Sequence, residues 1–166
     1  MKRALLLIGA GAVVYALAVV WAAARLPQNG VVMHVNDAGE VTQIASRAGA
    51  ITYFIGIGGL MAVIAVVVIC VASRIPLRRL SIPYKEYWMS PERVAKVRQM
   101  IVWDAALMFG TLMVALSFIP VNISLTTTNP KGTSVAWRTV PSGLWLFALA
   151  CYVIWMIFRR YRPAPP

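Results

Sequence analysis

Acidic side chains are scarce in this 166-residue chain: five Asp and Glu stand against sixteen Lys and Arg, with a single histidine. One histidine, His34, excludes a haem held by two histidines within the chain and any multi-histidine metal site. The sequence also has no Gly-rich phosphate loop, no nucleophile elbow and no carboxylate pair inside an apolar block, so the usual catalytic constellations are missing. His34, Asp37 and Glu40 flank one turn and would make at most a weak metal site; solvated hairpin side chains are the expectation. Cys70 and Cys151 each sit alone in an apolar block. That excludes a disulfide framework and a paired metal motif, and points to small, buried apolar side chains. No catalytic residue, metal or cofactor is expected, beyond bound lipid.

Charge of either sign is also in short supply. Charged residues make up 13% of the chain and apolar residues 60%, against about 25% and 45–50% in a soluble domain. Length alone would allow a soluble core. The distribution does not, because the apolar residues fall in four long blocks with few charges inside them. In a soluble protein a net charge of +11 would suggest nucleic acid. Here the cations flank apolar blocks, where membrane topology explains them better, and no nucleic-acid partner is expected.

Span one is read over Ala4 to Ala24. A cleaved signal peptide is the competing reading, but the apolar run exceeds the roughly 7–15 residues of a signal core. Arg25 to Arg47 is a polar connection, and span two runs from Ala48 to Ser73. Its Ile55 to Gly59 stretch lacks bulk, and Ala48, Thr52 and Gly56 recur at helical spacing. Gly56, Gly58 and Gly59 are therefore candidate helix-contact positions. A basic loop over 74–99 follows. Pro76 and Pro83 discourage helix in its first half, and Tyr84, Tyr87 and Trp88 are types that prefer the headgroup layer. Ser90-Pro91-Glu92 is a helix start with a capping hydroxyl, Pro at the first position and a carboxylate at the positive end of the dipole. That helix is expected to run unbroken into span three, Met100 to Ile119, and to end at Pro120. Val121 to Thr139 is a second polar connection, and span four covers Pro141 to Phe158.

The N-terminus, basic loop and C-terminal tail hold twelve of the sixteen Lys and Arg residues; the two other connections hold four. By the positive-inside rule both termini and the loop are cytoplasmic, in a multi-pass protein of the inner (cytoplasmic) membrane. The two outer connections read as β-hairpins. Val31–Val35 and Glu40–Ile44 flank Asn36 to Gly39, and Ile123–Thr128 and Thr133–Val140 flank Asn129 to Gly132. Both turns are Asn-x-x-Gly between arms rich in Val, Ile and Thr. The connections align without gaps at an offset of 93 residues, which pairs Pro27 with Pro120 and Gly39 with Gly132. A duplicated helix–hairpin–helix unit, 4–73 and 97–158, is one reading and chance recurrence of turn residues the other. In the first, the hairpins would join into a four-stranded outer cap. The expected fold is thus all-α and transmembrane: a single four-helix membrane domain over 1–166, with termini inside and a small β cap outside.

Leu26-Pro27, His34-Val35-Asn36 and Gly39-Glu40 follow span one, and Ile82-Pro83-Tyr84-Lys85-Glu86-Tyr87-Trp88-Met89-Ser90-Pro91-Glu92-Arg93 follows span two. These stretches resemble a bacterial membrane domain of unknown function, found at the N-terminus of the immunity and signalling protein family of the sporulation-delaying toxin. The resemblance covers roughly residues 10 to 100. The family's second Pro before the His is missing, and its Gly- and Trp-bearing segment after Gly-Glu is replaced by Val41 to Arg47. Most members have no assigned activity, so the resemblance implies an architecture rather than a reaction.

Asp104 is the one acid inside a span. At mid-bilayer it would cost about 2.5–3.5 kcal/mol, but it lies just beyond Arg98 and is expected near the cytoplasmic boundary, paired with Arg159 or Arg160. A proton- or ion-coupling role is the alternative. Arg78, Arg79, Tyr84, Tyr87 and Trp88 would form a docking surface for an acidic partner or anionic lipid. The function expected is a non-catalytic accessory or scaffolding subunit that packs against other membrane proteins or its own copies. The other readings are a receptor or immunity-type protein whose hairpins bind a peptide or toxin, and a small transporter using Asp104.

Overall fold

The computed structural model describes residues 2–36, 40–129 and 135–163. It contains four helices long and apolar enough to cross a membrane. Helix α1 covers Lys2–Arg25, and strands β1 (Val31–Val35) and β2 (Val41–Ala45) follow. Helix α2 covers Arg47–Arg74, a 3-10 turn Leu77–Arg79 and the short α3 Lys85–Trp88. Helix α4 runs Pro91–Leu116, α5 Phe118–Thr128 and α6 Val135–Trp155, which closes in a π turn over Met156–Arg160.

The core is built from three of these helices. Buried residues of α1 fall at Ala4, Ile8, Gly11, Tyr15, Val19 and Ala22, steps of three and four that keep one stripe on one face. That stripe packs on Ala65, Ile69 and Ala72 of α2 and Val102 and Ala106 of α4 toward one end. Toward the other end it packs on Ala50 and Phe54 of α2, Val31 of β1, and Leu116, Ile119 and Ile123 of the α4–α5 rod. These pairings make α1 and α4 parallel and α2 antiparallel to both. The outward faces are as apolar as the inner ones: Leu6, Leu17, Val20, Leu60 and Val63 are all well exposed. Rods that are apolar all round are characteristic of membrane spans and of helices buried in a large core.

Two close approaches set the helix spacing. A side chain on Gly110 would meet the backbone carbonyl of Leu7, and one on Gly11 would run into the carbonyl of Gly110. Backbone thus meets backbone where α1 crosses α4, as small residues allow between membrane helices. The second approach is at Gly58, where the Tyr15 ring occupies the space of the missing side chain. The Tyr15 hydroxyl donates to the Phe54 carbonyl at 2.7 Å.

The first hairpin forms as the sequence suggests. The strands pair antiparallel with irregular register on either side of His34. Asn36 closes the turn by bonding Glu40: its N–H reaches the Glu40 carbonyl at 2.9 Å, its Oδ1 accepts from the Glu40 N–H at 2.8 Å, and its side-chain amide meets the Glu40 carboxylate at 2.9 Å. Residues 37–39 of the turn lie outside the described residues. Ser46 then caps α2 by accepting the Gly49 N–H at 3.1 Å.

The second hairpin is overturned. Ile123–Thr128, read as a strand, is the helix α5, and the described part of its partner arm, Val135–Val140, begins α6. The sheet has two strands, so the four-stranded cap is absent among the described residues. Pro120 does not end the helix either. It has no N–H for the Leu116 carbonyl and its ring crowds that group, so the rod breaks at Ser117 and resumes as α5. The whole Pro91–Thr128 rod has 38 residues, about 57 Å at helical rise, so it outruns a ~30 Å hydrocarbon core at both ends. Pro120 and Ser124, one helical turn apart, and Thr126 on another face are buried, which shows why: packing on α1 and β1 outweighs the strand preference of Val, Ile and Thr. The Val32 N–H donates to Thr127 Oγ1 at 3.0 Å, so a helix covers the hairpin's inner edge. Cys70 and Cys151, expected to be buried, are exposed on the outer faces of α2 and α6, which are largely apolar.

Candidate functional site at the basic end of the bundle

At the end where α1 starts and α2 finishes, Asp104 of α4 ties the last helix to the bundle. It is 3% exposed. Arg160 Nε lies 2.8 Å from its Oδ1, Tyr152 donates to Oδ1 at 2.8 Å and Tyr161 donates to Oδ2 at 2.8 Å. Three donors on one carboxylate satisfy a charge that would otherwise be costly at this depth. Every one of them comes from α6 or the turn that closes it. The π turn makes this possible: it lets Arg160 and Tyr161 curl back onto α4. The expected ion pair therefore forms, with Arg160 rather than Arg159. The two tyrosines were not anticipated, and only the placement of Tyr152 toward the same end of span four hinted at them.

Tyr161, just past the last span, is held neutral. Burial, reinforced by its hydrogen bond to Asp104, pushes its ionisation well above the ordinary value near 10. Its backbone carbonyl accepts the indole N–H of Trp88 at 2.9 Å. Leu77, Trp88, Val97 and Tyr161 form a small separate core there. The basic loop is thus folded back under the bundle. Trp88, proposed as a docking residue, is 5% exposed and spent inside. Tyr87 is half-buried edge-on to it, under the Arg93 guanidinium at 4.1 Å. Arg78, Arg79 and Tyr84 remain on the surface. Tyr84 adopts φ 54, a left-handed conformation that costs about 1–2 kcal/mol in a non-glycine residue. Pro91 starts α4 as expected, but Ser90 Oγ makes no capping bond and is buried without a partner.

Beside the Asp104 cluster a cavity of about 920 Å3 opens among α1, α2, α4 and the end of α6. Its charged rim is Lys2, Arg3, Lys96, Arg98 and Arg160, with no acid lining it among the described residues; Val102 and Trp103 belong to its apolar wall. Arg98 donates to the Ser73 carbonyl at the foot of α2.

The remaining candidates are scattered. Gly58 is consumed by Tyr15, whereas Gly56 and Gly59 have open space on the outer face of α2, beside exposed Ala48 and Thr52. His34 Nδ1 bonds Thr42 Oγ1 at 2.6 Å and Glu40 bonds Asn36. Asp37 lies outside the described residues, among which no three His, Cys, Asp or Glu side chains gather. Comparison with protein families, curated proteins and solved structures finds no match to this chain.

Proposed function

We propose that the chain is a non-catalytic subunit of the inner (cytoplasmic) membrane, with both termini cytoplasmic, that packs against other membrane proteins through its loosely seated last helix. The observation that carries this reading is the burial of the four apolar windows: 28%, 22% and 22% of the first three is buried, and none of the fourth. On α6 and the π turn that closes it, Leu144, Phe147, Ile154 and Phe158 stand exposed, while the half-buried positions Trp145, Leu149, Tyr152 and Met156 make only a thin seam toward the bundle. A helix anchored by polar groups at one end presents most of its circumference to lipid or to a neighbour's helix, where packing and interhelical hydrogen bonds drive association. The asymmetry of twelve cations against four supports the orientation.

A photo-crosslinking residue at Phe147 tests this in native membranes. A discrete protein adduct, of partner or second-copy mass, is expected there and not from a probe at Leu6 on α1. Adducts of lipid alone at both positions would refute the proposal.

A second reading has one observation in its favour. Four of the five β2 residues are exposed, including Val41 and Ile44, and the strand has one free edge. An extended peptide could add to that edge by strand pairing, which agrees with a receptor or immunity-type role. Protection of β2 amides from exchange on adding such a peptide would favour it over the subunit reading.

A further inference from the structure

The rim of the large cavity is electrostatically unfinished. Of its five cations only Arg160 has an acidic partner; among the described residues Lys2, Arg3, Lys96 and Arg98 have none. Arg98 at least has the Ser73 carbonyl. Four unneutralised like charges around one void repel one another and focus a positive potential into it. The charges could have spread over the outer surface of the basic loop, as Arg78 and Arg79 do. Here two helices, α1 and α4, bring them round a recess whose wall, Ala4, Val102 and Trp103, is apolar and continuous with the bundle.

We infer that this cavity binds the headgroup of an anionic phospholipid, with its phosphodiester among Lys2, Arg3, Lys96 and Arg98 and its glycerol and upper acyl carbons on Val102 and Trp103. The volume far exceeds a lone phosphate and lies within the range of about 300–1,000 Å3 typical of ligand pockets. It leaves room for a headgroup with two phosphodiesters. Basic recesses between spans on the cytoplasmic side suit such headgroups, and tryptophan suits the interface level at which they lie. A soluble phosphate would satisfy the rim but not the apolar wall, so the lipid is the source. The inference rests on the membrane reading above and deepens it: the bound lipid fills the space beside the Asp104–Arg160 pair that anchors α6.

The test uses the full chain in phosphatidylcholine nanodiscs carrying a minor fraction of phosphatidylglycerol or cardiolipin, with retained lipid weighed by native mass spectrometry. Failure to enter nanodiscs would sink the membrane reading itself, separately from this site. Once incorporated, the chain is expected to retain one anionic lipid in preference to phosphatidylcholine. The exposed pair Arg3→Gln with Lys96→Gln should weaken that preference about 30-fold. The pair Arg78→Gln with Arg79→Gln, equal in charge and off the cavity, should weaken it less than about threefold. Millimolar inorganic phosphate should not displace the lipid. Equal losses in both pairs, no preference in the unmodified chain, or displacement by phosphate would each overturn the assignment.

Discussion

Helix α4 is gripped on two sides by different means. Where α1 crosses it, Gly11 and Gly110 let backbone touch backbone, and the buried α1 stripe packs along both α2 and α4. Where α6 meets it, no residue of the apolar window is buried, and the attachment is a carboxylate with two hydroxyls and a guanidinium at one end. The first contact is continuous and nonpolar, so it can change only by losing packing along its whole length. The second is a thin seam held by directional bonds and a small apolar core at one end, so it can be released as a unit while the α1–α2–α4 core stays intact. Close packing and interhelical hydrogen bonds are the two ways in which helices are held where apolar surface alone gives them little reason to associate.

Substitutions separate the two regions. The largest effect is expected from Gly110→Leu, which drives a side chain into the Leu7 backbone with no rotamer to relieve it. Overpacking of this kind costs about 3 kcal/mol, and thermal unfolding in detergent should fall accordingly. Asp104→Leu should cost about 2 kcal/mol for the lost hydrogen bonds to a charged group, and the loss should be local. Trypsin should cut the Arg159–Arg162 segment faster while the core melts as before. A cooperative loss of the whole bundle would erase the distinction between the regions.

A smaller effect should come from alkali. Tyr161 has its ionisation raised in the folded state by burial and by Asp104, so the fold holds a proton that the released tail gives up. Stability from this group is complete below about pH 10 and declines as pH rises beyond it toward the folded value. Tail proteolysis should therefore be flat through neutral pH and climb above about 10, and Tyr161→Phe should remove the climb. Last, Gly56→Leu should change stability by no more than about 0.5 kcal/mol, since nothing lies within 4 Å of the position. The contrast with Gly110→Leu separates a glycine that sets a crossing from one that faces outward.

The same contrast shows what was legible in the sequence. Four apolar blocks, the α4 start at Pro91, the first hairpin and the pairing of Asp104 with an arginine near the chain end all follow from hydropathy, proline placement and the cost of a lone acid. The glycines that matter do not. Gly11 and Gly110 lie ninety-nine residues apart, and nothing in either local pattern distinguishes them from Gly56 and Gly59; only the crossing does. The misread hairpin has a similar cause. Ile123–Thr128 has strand-like composition, and the packing of Pro120, Ser124 and Thr126 on α1 and β1, a tertiary fact, made it helical. Tyr161 is not legible in the sequence because the π turn that aims Arg160 and Tyr161 at Asp104 has no sequence signal.

Whether Asp104 is the latch of α6 can be measured directly with the two native cysteines. Cys70 on α2 and Cys151 on α6 are both exposed, so spin labels on them report the distance between core and last helix by pulsed electron resonance in nanodiscs. One narrow distribution is expected in the unmodified chain, and a broad, longer one in Asp104→Leu, with Gly56→Leu unchanged. An Asp104→Leu distribution as narrow as that of the unmodified chain, at the same distance, would mean that something other than the Asp104 cluster holds α6 in place.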